Sequence, residues 1–354
     1  MSHPRSKWTR RTLTPRYIYQ QLSRYVIGQT EAKKAVAIAA YRHYQALEVR
    51  RHRLHGAESL KSSHMLMIGP TGSGKTHIAR TLARILDVPL AVVNATEYTE
   101  AGYYGKDVEL MITELLMAAK GNAEEAGRGI VFIDEIDKIA RRFYTGGTSE
   151  GERDIRGEGV QQALLKFFEG GKVYVPSTPT SSYQMQDYQE VDISGVLFIC
   201  AGTFTELATD VLKADIGFES KPRASDRLSF HISIRRDLER YGILPELLGR
   251  IAVIVRLYEL STRELVKILK EPPDSVMREY QELFRLAGAN LSFTDGALQL
   301  IASEAKRLKL GARSLRAIFE NVLSDLLFDL PSLKGKRVRI DKRFVRKRLE
   351  AANG

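Results

Sequence analysis

Residues 69–76 read GPTGSGKT, which places two glycines, a lysine and a hydroxyl in the pattern G-x-x-x-x-G-K-[ST]. The chemistry of that pattern is phosphate binding. Gly72 and Gly74 let backbone amides converge on phosphate oxygens with no Cβ in the way. Lys75 supplies a mobile cation for the β- and γ-phosphates of a nucleotide, and Thr76 offers a hydroxyl to Mg2+. A helix beginning at Lys75 turns the positive end of its dipole toward the same oxygens. The candidate ATP-binding stretch is therefore Gly69, Pro70, Thr71, Gly72, Ser73, Gly74, Lys75, Thr76 and His77. Further along, GIVFIDE (129–135) ends in two acids. Its apolar residues deliver Asp134 and Glu135 to the C-terminal edge of a parallel sheet, where ligands of open α/β sheets bind. Asp134 is expected to hold Mg2+. Glu135 is expected to polarise the attacking water, a general-base role worth about 10²–10⁴ in rate. Paired acids also favour a helix start, but after a phosphate loop the catalytic reading is the stronger one.

These residues need a scaffold, and the chain supplies one. The runs HMLMIG, LAVVNA, GIVFID and VLFICAG are short, apolar and bounded by turn or polar residues, with helical patterns such as KTHIARTLARIL and GVQQALLKFFE between them. Near-continuous apolar strands alternating with helices indicate a parallel sheet covered on both faces. Thr14-Pro15 reads as a helix start, and a second helix begins near Thr30 and gives way to a polar connection, EVRRHRLHGAESLKSS. After residue 256 the pattern turns helical, with one strand candidate near 338–340. The expected division is a basic tail over 1–13, a large α/β ATPase domain over 14–257 and a smaller, mainly helical domain over 258–350. Polar stretches at 144–156, 176–190 and 215–230 are long for a compact domain, and such loops are usually functional or disordered.

Composition narrows the class. At 354 residues the chain holds about two domains. No segment approaches the roughly 18–20 apolar residues of a membrane span, and no apolar core follows the basic N-terminus as in a secretory signal. Residues 1–16 resemble an import presequence in holding Arg and Ser without an acid, yet lack its amphipathic pattern. A single cysteine, Cys200, fits a reducing, cytoplasmic compartment. The net charge of +11 sits at the ends: five cations and no acid in residues 1–16, and nine Lys or Arg against Asp341 in residues 334–348. Such runs suit nucleic acid or an acidic partner. Solvated termini are the plainer reading.

Seven motifs in order carry a family resemblance: VIGQ (26–29), GPTGSGKT, TEAGYYGKDVE (99–109), GIVFIDEIDKI, RGEGVQQALLK (156–166), GILPELLGR (242–250) and GARSLR (311–316). Together they resemble the ClpX family of AAA+ unfoldases, ring-forming partners of ClpP-type peptidases, from about Thr14 to Leu349. The resemblance implies an ATP-hydrolysing homo-oligomer, hexameric in the family, acting on protein substrates. It implies that Val26 and Ile27 pack around adenine, that Arg250 is the arginine finger reaching a neighbour's γ-phosphate, and that Arg313 is the second sensor. Thr203 is a candidate for the first. Gly102-Tyr103-Tyr104-Gly105 matches the substrate-gripping pore loop, with Tyr104 where the family has valine, and Arg156 falls in a second pore loop. Ile216-Gly217-Phe218 matches the peptidase-docking tripeptide; filling a pocket with each large side chain gains about 1.5–3 kcal/mol.

Two departures matter. The family's zinc-binding domain is built on four cysteines, so with Cys200 alone no zinc is expected. The stretch VPSTPTSSYQMQDYQEVD (175–192) has no Lys, Arg or His where the family carries a basic entrance loop. A rival within the class, HslU, carries a long insertion that the 24 residues at 106–129 cannot hold. A rival of another class is a motor or remodeller acting on nucleic acid through the basic ends.

Overall fold

The computed structural model describes residues 13–51, 63–99, 106–141, 155–176, 188–205, 207 and 234–353. The expected gripping loop at 102–105 and docking tripeptide at 216–218 lie outside them, as does the side chain of Arg156. The chain forms two compact units. One takes in residues up to Tyr19 with Glu31–Gly69 and Ile78–Arg256; the other comprises Gln20–Thr30, Pro70–His77 and Leu257–Gly354.

Helix α1 (Pro15–Tyr25) opens the described chain, its first turn capped where Thr14 Oγ1 accepts the amide of Tyr17 at 3.1 Å. Helix α2 (Thr30–Arg51) runs past Leu47, through residues 48–51 that the sequence suggests as connection. Glu and Arg are good helix formers, and Glu48 is held by Arg128 at 3.4 Å. The strands of the first unit are β1 (His64–Ile68), β2 (Leu90–Asn94), β3 (Tyr98–Thr99), β4 (Lys106–Asp107), β5 (Ile130–Asp134), β6 (Lys172–Pro176), β7 (Tyr188–Asp192), β8 (Leu197–Gly202) and β9 (Ile251–Arg256). Helices α3 (Lys75–Leu86), α4 (Leu110–Ala118), α5 (Ala123–Ala126), α6 (Ile155–Glu169) and α7 (Pro245–Arg250) accompany them.

Five strands form an all-parallel sheet in the order β2-β5-β8-β1-β9. The middle is dry: Phe132 of β5 and Phe198 of β8 are fully buried, as strands covered on both faces require. Strand β9 was not foreseen because α7 runs into it at Arg250–Ile251 with no turn residue between. The polar stretch 176–190 is likewise flanked by strands, β6 and β7 pairing antiparallel.

Register sets the useful edge. Asn94 of β2 lies opposite Asp134 of β5, and Ile68 of β1 opposite Gly202 of β8. Gly69 donates its amide to Gly202 O at 3.2 Å. The carboxyl ends of four strands therefore finish in one row. A buried side chain, Gln161 of α6, braces that edge. Its Nε2 donates to Ile139 O (2.9 Å) and Gly242 O (3.1 Å), and its Oε1 accepts from Leu244 N at 2.8 Å. Every bond this amide can make with a single acceptor contact is used, and it joins three loops.

The second unit has its own core around Phe284 and Phe319. Its elements from residue 257 onward are α8 (Thr262–Lys270), α9 (Val276–Leu286), β10 (Asn290–Phe293), α10 (Asp295–Arg307), α11 (Leu315–Phe328), β11 (Arg337–Ile340) and α12 (Lys342–Asn353). A capping box opens α8, with Ser261 N donating to Glu264 Oε2 at 2.8 Å and Glu264 N to Ser261 Oγ at 3.3 Å. Strand β11 covers the foreseen 338–340 and pairs in parallel with β10. Among the described residues no helix is long and apolar enough to cross a membrane.

Gln161→Leu should lower unfolding free energy by at least about 3 kcal/mol, because buried backbone groups lose their partners. Urea titration checks this; a midpoint shift worth under about 0.5 kcal/mol, the level of an ordinary surface change, would show the brace is dispensable.

Candidate nucleotide site

The phosphate loop follows β1 in the chain but packs with the second unit. Two positive φ angles shape it, +73° at Gly72 and +101° at Gly74, a region that side chains other than glycine rarely enter. Gly72 is needed for a second reason. Ala312 donates its amide to Gly72 O at 3.3 Å, and a Cβ on Gly72 would stand 2.1 Å from Leu310 O. Gly311 meets the same spot from the other side, its own Cβ position 2.9 Å from Gly72 O. Two backbones touch here because neither carries a side chain. Arg313 follows directly, exposed and with no ion pair among the described residues.

The residues 25–29 flank the loop. His77 Nε2 donates to Tyr25 O at 3.2 Å, and Gln29 Nε2 donates to Ser73 O at 3.3 Å and to Tyr258 O at 2.8 Å. Tyr258 returns its amide to Gln29 Oε1 at 3.1 Å. Val26 is buried and Ile27 half-buried. Gln29 is a residue that sequence reasoning passed over in favour of its apolar neighbours. Its left-handed φ of +51°, directly after Gly28 at +67°, is what aims the amide at the loop.

The loop has room for phosphate. A Cβ built on Gly74 meets nothing within 4 Å. The hydroxyl of Ser73 is buried without a hydrogen-bond partner, an atom left in want of a ligand or water. Lys75 is nearly buried, and its Nζ donates to Pro70 O at 3.1 Å. Thr76 is half-buried beside it in sequence, and Pro70 and Thr71 are exposed. An ATP triphosphate fits these donors.

The acids belong to the first unit. Glu135 sits just past β5 with φ +58° and ψ +33°, a left-handed conformation that costs a non-glycine residue about 1–2 kcal/mol and often marks a functional position. Its amide donates to Asp134 Oδ1 at 3.0 Å, and its Oε2 accepts from Asn94 Nδ2 at 3.1 Å. Asn94 is fixed from its other end: Oδ1 accepts the amide of Thr96 at 3.0 Å and its hydroxyl at 2.9 Å. With Oδ1 committed as acceptor, the NH2 group must face Glu135. Asn94 too was missed, though an Asn ending a strand two residues before a Thr is a turn-capping signal. Thr203 donates its hydroxyl to buried Asp137 Oδ2 at 2.8 Å.

Arg250 closes α7, half-exposed, and pairs with Glu169 at 2.5 Å. Both line a cleft of about 630 Å³ with Arg50, His64, Phe168 and Glu246. Burial, helped by the neighbouring His43, lowers His64 to a pKa of about 3, so its imidazole is neutral at neutral pH.

Comparison with known proteins agrees with this geometry. Residues 60–254, more than half of the chain, match the AAA domain (Cdc48 subfamily), and residues 260–342 match the C-terminal, D2-small domain of ClpB protein. The chain is 46% identical over 319 residues to the ATP-dependent Clp protease ATP-binding subunit ClpX 2 of Wolinella succinogenes, covering 90% of this chain and 78% of the relative. It is 41% identical over 340 residues to the ATP-dependent Clp protease ATP-binding subunit ClpX of Porphyromonas gingivalis, covering 94% and 81%. The chain belongs to the ClpX family of AAA+ ATPases. This ClpX-family chain is thus an ATPase, and the resemblance of its seven motifs extends over nearly its full length.

Gly72→Ala forces the loop away from Leu310 and adds the left-handed strain of about 1–2 kcal/mol, so ATP affinity should fall at least tenfold. Titration with a fluorescent ATP analogue reads this; an unchanged Kd would show that the contact with Leu310 and Gly311 is not needed for binding.

Proposed function

We propose that this protein is an ATP-dependent unfoldase and translocase that works as a homo-oligomeric ring, hexameric as in its family, and passes protein substrates to a ClpP-type peptidase. The observation that carries the ATP-driven part is the open phosphate loop, with its orphaned Ser73 hydroxyl, in a chain that also holds Glu135 by a fixed amide. The relatives' names, ATP-dependent Clp protease ATP-binding subunits, support the peptidase part.

In this reading Val26 and Ile27 hold the adenine. The amides of residues 69–77 and Lys75 hold the phosphates, with Lys75 exchanging Pro70 O for phosphate oxygen. Thr76 and Asp134 would hold Mg2+, which would supply charge neutralisation for the triphosphate. Among the described residues no group of three or more His, Cys, Asp or Glu is placed to hold a metal ion. The carboxylate of Glu135 takes the proton of the attacking water, and Asn94 holds that carboxylate in place until the substrate is seated. Arg250 leaves Glu169 for a neighbour's γ-phosphate, so turnover needs the ring. Arg313, directly after Ala312 whose amide bonds Gly72 O, reports phosphate occupancy to the second unit.

Tyr103 and Tyr104 grip the threaded chain; tyrosine offers large amphipathic area at low conformational-entropy cost, and flanking glycines let the loop swing. Arg156 adds a cation to the channel, and Ile216-Gly217-Phe218 docks the peptidase, with several copies acting multivalently.

Glu135→Gln should assemble with ATP yet lose about 10²–10⁴ of turnover. Tyr103→Ala should keep ATPase activity and lose unfolding of a folded fluorescent client. Normal turnover in the first, or normal unfolding in the second, contradicts the assigned role. Stimulation of the ATPase by DNA instead of unfolded protein would favour a nucleic-acid remodeller.

A further inference from the structure

The C-terminal cations, which the sequence alone leaves as a solvated run, stand on two ordered elements of the second unit. On β11, Arg337 and Arg339 are exposed while Ile340 is buried. On α12, Val345 is buried and Phe344 and Leu349 are half-buried, whereas Lys342, Arg343, Arg346 and Lys347 are exposed. At 3.6 residues per turn, those four fall within one sector of about 140°. Strand neighbours two apart stand about 6.6–6.8 Å from each other, and helical neighbours four apart about 5–6 Å. The six cations are therefore regularly spaced on rigid backbone.

They are also unopposed. Among the described residues none of the six makes an ion pair. The acids nearby are turned to other work: Asp341 Oδ1 caps α12 by accepting Phe344 N at 2.8 Å, and Asp325 pairs with Arg348 on the helix's inner side. Glu350 is the one acid on the exposed sector, a turn beyond Arg346. Like charges held this close repel, and a surface that concentrates them creates a field that draws a polyanion.

The chemistry selects among polyanions. Protein interfaces rest on buried aromatic and apolar anchors, and no large apolar side chain is exposed from 334 to 350; those of this unit are elsewhere, at Leu308, Leu310 and Phe328 among others. A phosphodiester backbone needs only cations, and four of the six are arginines, whose fork matches phosphate oxygens. We propose that the exposed cations of β11 and α12 bind the phosphate backbone of nucleic acid without regard to base sequence. The proposal stands independently of the unfolding reading.

Fluorescence anisotropy with labelled single-stranded DNA, single-stranded RNA and duplex DNA tests it on the full chain. The logarithm of the association constant should fall linearly with the logarithm of salt, by about 0.7 per phosphate contacted on a single strand and about 0.9 on a duplex. The variant R343Q/R346Q/K347Q should flatten that slope by about 2–3 while its ATP turnover stays at the unaltered level. The strand variant R337Q/R339Q should flatten it by about 1.4–1.8, and keeps the test alive if the helix variant misfolds. A control that neutralises Arg5, Lys7, Arg10 and Arg11 should leave the slope unchanged. No salt-dependent binding overturns the proposal. So does binding that tracks the N-terminal control in place of these cations, or equally tight capture of polyglutamate or of phosphatidylserine vesicles.

Discussion

Two stretches of main chain meet at Gly72 and Gly311 closely enough that a single Cβ would part them. Most of what this protein does with a nucleotide depends on that approach. It makes the phosphate loop, inserted by sequence between a strand and a helix, a packing member of the second unit. Gln29 reinforces the arrangement by holding Ser73 and Tyr258 with one amide. A loop bound on two sides by backbone hydrogen bonds has few ways to answer a phosphate except by carrying its partners along. Arg313 rides on one of those partners. Coupling between ligand and distant structure needs such a connected element with more than one arrangement, and a glycine–glycine contact supplies one without side chains that would blur it.

The first unit answers a different need of the proposed mechanism, holding its candidate base in position. Glu135 holds a costly left-handed backbone and is tethered by Asn94, whose own orientation is fixed by Thr96. The carboxylate is thereby held in one orientation by a single amide donor. Sheet register makes this possible, since Asn94 and Asp134 are direct neighbours across β2 and β5. Arg250 is likewise held by one of the chain's own groups, pairing with Glu169, which in the proposed ring it would exchange for a phosphate. In each case the protein's own groups occupy the partners that substrate would take.

Much of this was legible beforehand, and the reasons are physical. Strands buried on both faces, such as β5 and β8, have to be continuous apolar runs, so they announce themselves. The phosphate loop is readable because its left-handed angles at Gly72 and Gly74 favour glycine and because a lysine supplies a compact, mobile cation directly after them. What escaped notice had no compositional mark. Strand β9 follows α7 with no turn residue to separate them. Strand β10 is four residues long and amphipathic only in its neighbourhood. Gln29 and Gln161 act through amides whose partners lie far off in sequence, so nothing local distinguishes them from surface residues; Asn94 carries a local capping signal toward Thr96, but its bond to Glu135 spans 41 residues. The basic C-terminal run was visible as composition, but its sorting onto exposed positions of β11 and α12 required the fold.

Hydrogen–deuterium exchange with and without a non-hydrolysable ATP analogue addresses the central claim most directly. If the loop and the segment after it in the second unit form one body, nucleotide should protect residues 69–77 and 308–316 together, and to a similar degree. Protection confined to 69–77, with 308–316 exchanging as before, would contradict it.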